Sequence, residues 1–139
     1  MHCYGKAEHH SSSDELIALF FEHVYIHFPV LDRPHFMSRY LQSTCSSFLL
    51  YSLYAAVIPY ASTKLVHDLG FDTAYAAQRE FFSRVKVLYG LDCESSELAL
   101  LQGSILLCSF KHVLGQTKDF RFWKSNAIRL AIQMGLHRL

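Results

Sequence analysis

A chain of 139 residues that is 51% hydrophobic and 14% aromatic carries enough apolar material to bury a core, which excludes a disordered tail. A net charge of +1 excludes a global field that would recruit nucleic acid or membrane, although one Lys stands with five acids from Met1 to Asp32 and six Lys or Arg stand with one acid from Lys111 onward. Four scattered cysteines, Cys3, Cys45, Cys93 and Cys108, form no C-x-x-C pair, so free thiols in a reducing, intracellular compartment are expected.

The opening MHCYGKAEHH has no basic stretch feeding an apolar run and does not read as a secretory signal. Residues 1–11 are patternless and expected to be disordered, with one helical domain over 12–139. Its first helix is expected to begin at Ser12 or Ser13, since Ser12 and Glu15 have capping-box spacing and Asp14 suits the positive end of the helix dipole. Ile17, Phe20, Phe21, Val24, Tyr25 and Phe28 give it a broad apolar face, and Pro29 stops it. His23 and His27, four apart, could face one metal ion, but no third ligand has a fixed relation to them and no H-E-x-x-H motif is present.

In the following PVLDRPHF, Pro34 suits the first turn of a short helix over about 35–42, and Phe36 can fold back onto the core. Arg33 is expected to be a buried strut for carbonyls freed at the first helix's end. No charged residue lies between Arg39 and Lys64. The apolar stretch from Phe48 to Ala61 falls short of the ~20 residues of a membrane span, so it predicts a buried central helix that Pro59 ends or kinks.

Asp72 is placed to cap a helix that buries Ala74, Ala77, Phe81, Phe82, Val85 and Leu88, exposes Arg79, Arg84 and Lys86, and closes at Gly90. Ser95 or Ser96 caps the next, whose core residues are expected to be Leu98, Leu101, Ile105, Leu106 and Cys108; Gly103 lets another helix approach. A loop from Gly115 to Asp119 is expected to be the least ordered interior segment. In the final helix Phe120, Trp123, Ala127, Leu130, Ala131 and Met134 recur at intervals of three and four and share a buried face. Arg121, Ser125, Arg129 and Gln133 lie opposite, Ile128 and Ile132 form a second apolar pair, and Gly135 offers an exit. No strand-like alternation or internal repeat is present, so the fold class is all-α, a bundle of about six helices.

Three segments also carry a family pattern. One is Phe28, Pro29, Leu31, Arg33, Pro34 and Phe36; the second is the Leu101–Gln102 pair before an aliphatic run. The third is Trp123 followed by N-A-I-R-L-A, with Ala127 and Ala131, closing on Gly135, Leu136, His137 and Arg138. Together and in this order they resemble the regulatory domain of fungal zinc-cluster transcription factors, the middle homology region. That resemblance implies a regulatory, non-catalytic helical domain acting in the nucleus, with these signature residues in structural roles. Its implied partners are the rest of a longer factor, a homodimer mate or a coregulator, and a small-molecule effector, with no membrane.

The family binds DNA through six closely spaced cysteines that hold zinc, and this chain has no such cluster. Cofactors are therefore expected to be none here, with DNA and zinc contacted only through a segment absent from this sequence. The family's region also continues past G-L-H-R, so the domain is expected to be the N-terminal part of a larger helical region, truncated at its C-terminus. Two other readings are weaker. A small enzyme would need Glu22, His23, His27 and His67 to converge in a cleft, and no catalytic motif supports that. A direct nucleic-acid binder would use Lys118, Arg121, Lys124 and Arg129, a sector that Ile128 and Ile132 interrupt. A protein-interaction module unrelated to transcription is the remaining alternative.

Overall fold

Five helices start on a side chain that accepts a backbone N–H three residues on, the local signal that fixes where each begins. Asp32 accepts from His35 N at 3.4 Å, Ser46 from Leu49 N at 3.2 Å, Ser62 from Leu65 N at 3.1 Å, Thr73 from Ala76 N at 3.0 Å and Ser96 from Ala99 N at 3.2 Å. The computed structural model describes residues 11–27, 29–91, 94–109 and 117–136. Over these the elements are α1 (Ser11–Leu19), α2 (Arg33–Leu41), α3 (Ser47–Val57), α4 (Thr63–Asp68), α5 (Ala74–Gly90), α6 (Glu97–Ser109) and α7 (Thr117–Gln133). The class is all-α.

Several boundaries differ from expectation. Thr73, not Asp72, caps α5, and Arg33, not His35, begins α2 with Pro34 in its first turn. The six-residue α4 adds a helix to the six expected. Residues 117–119 of the expected loop belong to α7, while 115–116, like 1–10, lie outside the described residues. α1 runs directly into a π turn at Phe20–Val24, where Tyr25 N donates to Phe20 O at 2.9 Å.

α3 is the middle of the bundle. It packs against α1 with its π turn on one side, α5 on another and α6 on a third, and α7 lies along α6. Composition explains the position: Phe48, Leu49, Leu50, Leu53, Ala55, Ala56 and Val57 are all buried around its circumference, and only the half-buried Tyr51 and Tyr54 reach toward water. Pro59 turns its end into a 3₁₀ turn, Ile58–Tyr60. α6 approaches α3 where Gly103 has no side chain; a Cβ there would stand 3.0 Å from Ser52 Oγ and closer still to the Phe48 ring.

From Trp123 onward α7 presents the expected stripe; the side chain of Phe120 lies outside what is described. Trp123 is 1% exposed and meets Phe48, Tyr89 and Phe122 at ring-centroid distances of 6.0, 5.3 and 4.8 Å. Ala127 and Leu130 are buried with Leu101 in a satellite cluster, and Ala131 and Met134 pack at its edge. A polar clasp reinforces this contact. Asn126, buried, donates to Ser104 Oγ at 3.0 Å and accepts from Tyr89 at 3.0 Å and from Arg129 at 2.6 Å, so it joins α5, α6 and α7. Gly135 leaves the helix at φ +77°, a conformation that disfavours a Cβ. Ile128 and Ile132 are each 53% exposed, on the side away from α6.

Candidate functional site

A cleft of about 340 Å³ opens between the step into α2, the start of α3 and the start of α6. That volume is in the range of small-molecule sites, roughly 300–1,000 Å³. Leu31, Phe36, Leu49 and Ala99 make an apolar wall, all of them buried. Asp32, His35, Arg39 and Leu98 are exposed and form its rim. Leu98 therefore corrects an expectation: at 51% exposed it is not core, because the first turn of α6 stands at the cleft mouth.

The inner wall is polar. Glu94 is 5% exposed; Ser46 donates its hydroxyl to one carboxylate oxygen, and the N–H of Ser96 donates to the other at 2.9 Å. Ser46 thus ties two helix starts together, since the same oxygen caps α3. Beside it the buried Cys45 thiol is pushed up to about 12, chiefly by burial, so it stays protonated and is not a nucleophile at neutral pH. Gln102 completes the lining. Its amide donates to Val30 O at 2.9 Å, so the leucine-glutamine segment holds the chain between Pro29 and α2.

Other signature residues fall in different places. Phe36 is buried against Phe21 and Tyr40, with centroids 6.0 and 6.2 Å apart. Arg33 is not a buried strut: it is exposed, with its guanidinium 4.6 Å from the centre of the Phe21 ring. Gln102 instead supports the step that follows the helix, at Val30 O. Pro29 and Pro34 are exposed, Leu101 is buried, and Leu136 is 40% exposed. Phe28, His137 and Arg138 lie outside the described residues. The structure therefore brings Phe36 and Gln102 to one cleft, while Trp123, Ala127 and Ala131 serve the packing of α7.

The sets weighed for catalysis and metal binding do not meet here. Glu22, His23, His27 and His67 contribute nothing to the cleft lining. His23 stacks on Tyr60, with centroids 4.9 Å apart, and His67 bonds to Asp72 O at 3.2 Å. Among the described residues no three His, Cys, Asp or Glu side chains are grouped to hold an ion. Likewise no helix among them is long and apolar enough to cross a membrane. Glu94, Ser46 and Asn126 were not singled out from sequence. Glu94 gave no signal beyond being an acid two residues before a cap, whereas Asn126 stood inside the N-A-I-R-L-A segment.

The family model described as "Fungal specific transcription factor domain" matches residues 17–139. The chain is 31% identical over 123 residues to the fusaric acid cluster transcription factor FUB12 of Fusarium oxysporum f. sp. lycopersici, covering 88% of this chain and 19% of that protein. It is 30% identical over 123 residues to the protein of the same name in Gibberella fujikuroi, with the same coverage. It is also 30% identical over 128 residues to cutinase transcription factor 1 beta of Fusarium vanettenii, covering 88% of this chain and 14% of that one. The chain thus spans less than a fifth of the length of these relatives. No solved structure matches it.

Proposed function

This chain belongs to the fungal specific transcription factor domain family, and from that membership we propose that it is a regulatory, non-catalytic segment of a fungal transcription factor. The observation that carries the reading is the family match over residues 17–139, continuous from α1 to the end of the chain. The relatives' names as transcription factors agree with it. The parent factor acts in the nucleus and reaches DNA through a zinc-holding segment outside this sequence, and the helical domain works without a metal of its own. Its contacts are with the rest of the factor, a second copy or a coregulator, and the cleft beside Gln102 is its input for a small effector. The helical bundle and the position of His23 and His67 outside the cleft lining are consistent with control by binding.

Disruption of the gene in its source fungus, followed by transcript profiling, tests this. A coherent set of transcripts is expected to change. A Gln102→Leu allele, which cuts the tie to Val30 O, should shift the same set at unchanged protein level, and a fluorescent fusion should concentrate in the nucleus. An unaltered transcript profile would sink the reading.

A further inference from the structure

We propose that the cleft between α2, α3 and α6 takes a small organic amine, with its protonated nitrogen on Glu94 and its apolar body against Phe36, Leu49 and Ala99. Glu94 is the acid of the cleft's inner wall. It is 5% exposed, and its partners are neutral: the Ser46 hydroxyl and the Ser96 N–H. An ionised carboxylate offers about four acceptor positions, so these two donors leave room for more. A buried charge without a counter-charge is costly, and a cation brought to it recovers much of that cost.

The cations at the rim do not fill this role. Arg39 is exposed and spends a guanidinium N–H on Thr44 O at 3.0 Å. His35 is exposed and stands beside Asp32, whose carboxylate accepts its backbone N–H. Asp32, His35 and Arg39 together give a mixed, solvated rim whose field is screened, while the group enclosed behind it is the Glu94 carboxyl. The wall opposite is hydrocarbon, and the volume of about 340 Å³ suits an aryl or alkyl body. The site therefore selects by sign: an acid of the same shape would place like charges together out of water, and an alcohol would forgo the charge-assisted hydrogen bond.

This deepens the regulatory reading by naming the ligand class, and only its consequence for transcription rests on that reading. Binding is measured on the 139-residue chain, so its failure leaves the transcript experiment untouched, and the reverse also holds. The probes are 3-phenylpropylamine, 3-phenylpropanol and 3-phenylpropionate, titrated calorimetrically and by thermal shift at neutral pH. The amine is expected to bind about tenfold or more tighter than the alcohol, and the acid weakest. Glu94→Gln, whose amide oxygen can still accept from the Ser96 N–H while its NH2 donates to the Ser46 hydroxyl in place of accepting from it, should level amine and alcohol. Leu98→Trp, at an exposed rim position, should weaken all three while leaving helix content unchanged. Equal binding of the three probes, preference for the acid, no binding of the amine up to millimolar concentration, or indifference to Leu98→Trp would each overturn the proposal. If Glu94→Gln fails to fold, the order of the three probes on the unaltered chain and the Leu98→Trp result decide it.

Discussion

Gln78, wholly buried on α5, donates its side-chain amide to the carbonyl oxygen of Ala55 on α3 at 3.0 Å. In a continuing helix that oxygen would accept from the residue four positions on, which is Pro59 and has no N–H to give. A side chain of another helix replaces the missing donor. The pair therefore serves two ends: it satisfies a buried carbonyl and fixes α5 against α3.

Gln78→Leu should then cost about 1–3 kcal/mol, the penalty for leaving a buried acceptor unsatisfied. Urea denaturation of the variant checks this. A midpoint equal to the parent's would mean that water reaches Ala55 O.

Trp123→Ala should destabilise by about 3–5 kcal/mol, because it empties a site shared by Phe48, Tyr89 and Phe122. Trp123→Phe should cost less: the indole N–H is buried without a partner, so that substitution removes an unsatisfied donor along with some packing. Thermal melts of the two variants should order them in this way. The reverse order would show the indole N–H to be paired.

Gly103→Ala should destabilise by about 1–3 kcal/mol through overpacking, since the new methyl group meets the buried Phe48 ring and Ser52 Oγ. Phe48→Leu in the same chain should recover part of the loss, a coupling that a double-mutant cycle would measure. Strict additivity would place the two residues out of contact.

Ile128→Lys with Ile132→Glu should leave stability within about 0.5 kcal/mol per site, since both residues are half exposed. The unaltered chain should self-associate through this apolar pair, and sedimentation should show less association in the double variant at equal helix content. Loss of helix in the variant would mean that the pair is part of the core.

Burial raises the Cys45 thiol to about 12, so the thiolate at pH 8 is on the order of a thousandfold scarcer than for a free cysteine. Iodoacetamide with peptide mapping should leave Cys45 unmodified in the folded chain and modify it in denaturant. The linkage has a definite sign. The folded pKa lies above the unfolded one, so the fold holds its proton longer, and this contribution is complete below about pH 8.5 and lost as pH rises toward 12. Cys45→Ala should correspondingly flatten the alkaline decline of the denaturation midpoint.

The helices were legible because caps and apolar spacing are local, and Trp123, Ala127 and Leu130 landed inside as their intervals demanded. What stayed hidden was either too short or too distributed. α4 has six residues, too few for a period to show, although Ser62 was a usable cap. Leu98 obeyed the period of its helix yet stands at a cleft mouth, because the apolar pattern does not show where a neighbour ends. The cleft joins Leu31, Ser46, Glu94 and Gln102 from separate segments, a juxtaposition set by packing. Arg33 is exposed over the Phe21 ring, and the bond that ties down the step before it, from Gln102 to Val30 O, spans 72 positions.

The π turn after α1 bears on how this chain is to be aligned with others. Phe20–Val24 winds more slowly per residue than the α-helix before it, so Leu16, Phe20 and Val24, spaced by four, stay in line instead of drifting around the cylinder, and all are buried. A relative with a plain α-helix here would be one residue shorter, and its apolar positions before the turn would be offset by one from those after it. A gap between Leu19 and Tyr25 is thus a structural event confined to one turn, and the hydrophobic positions on its two sides belong to separate registers.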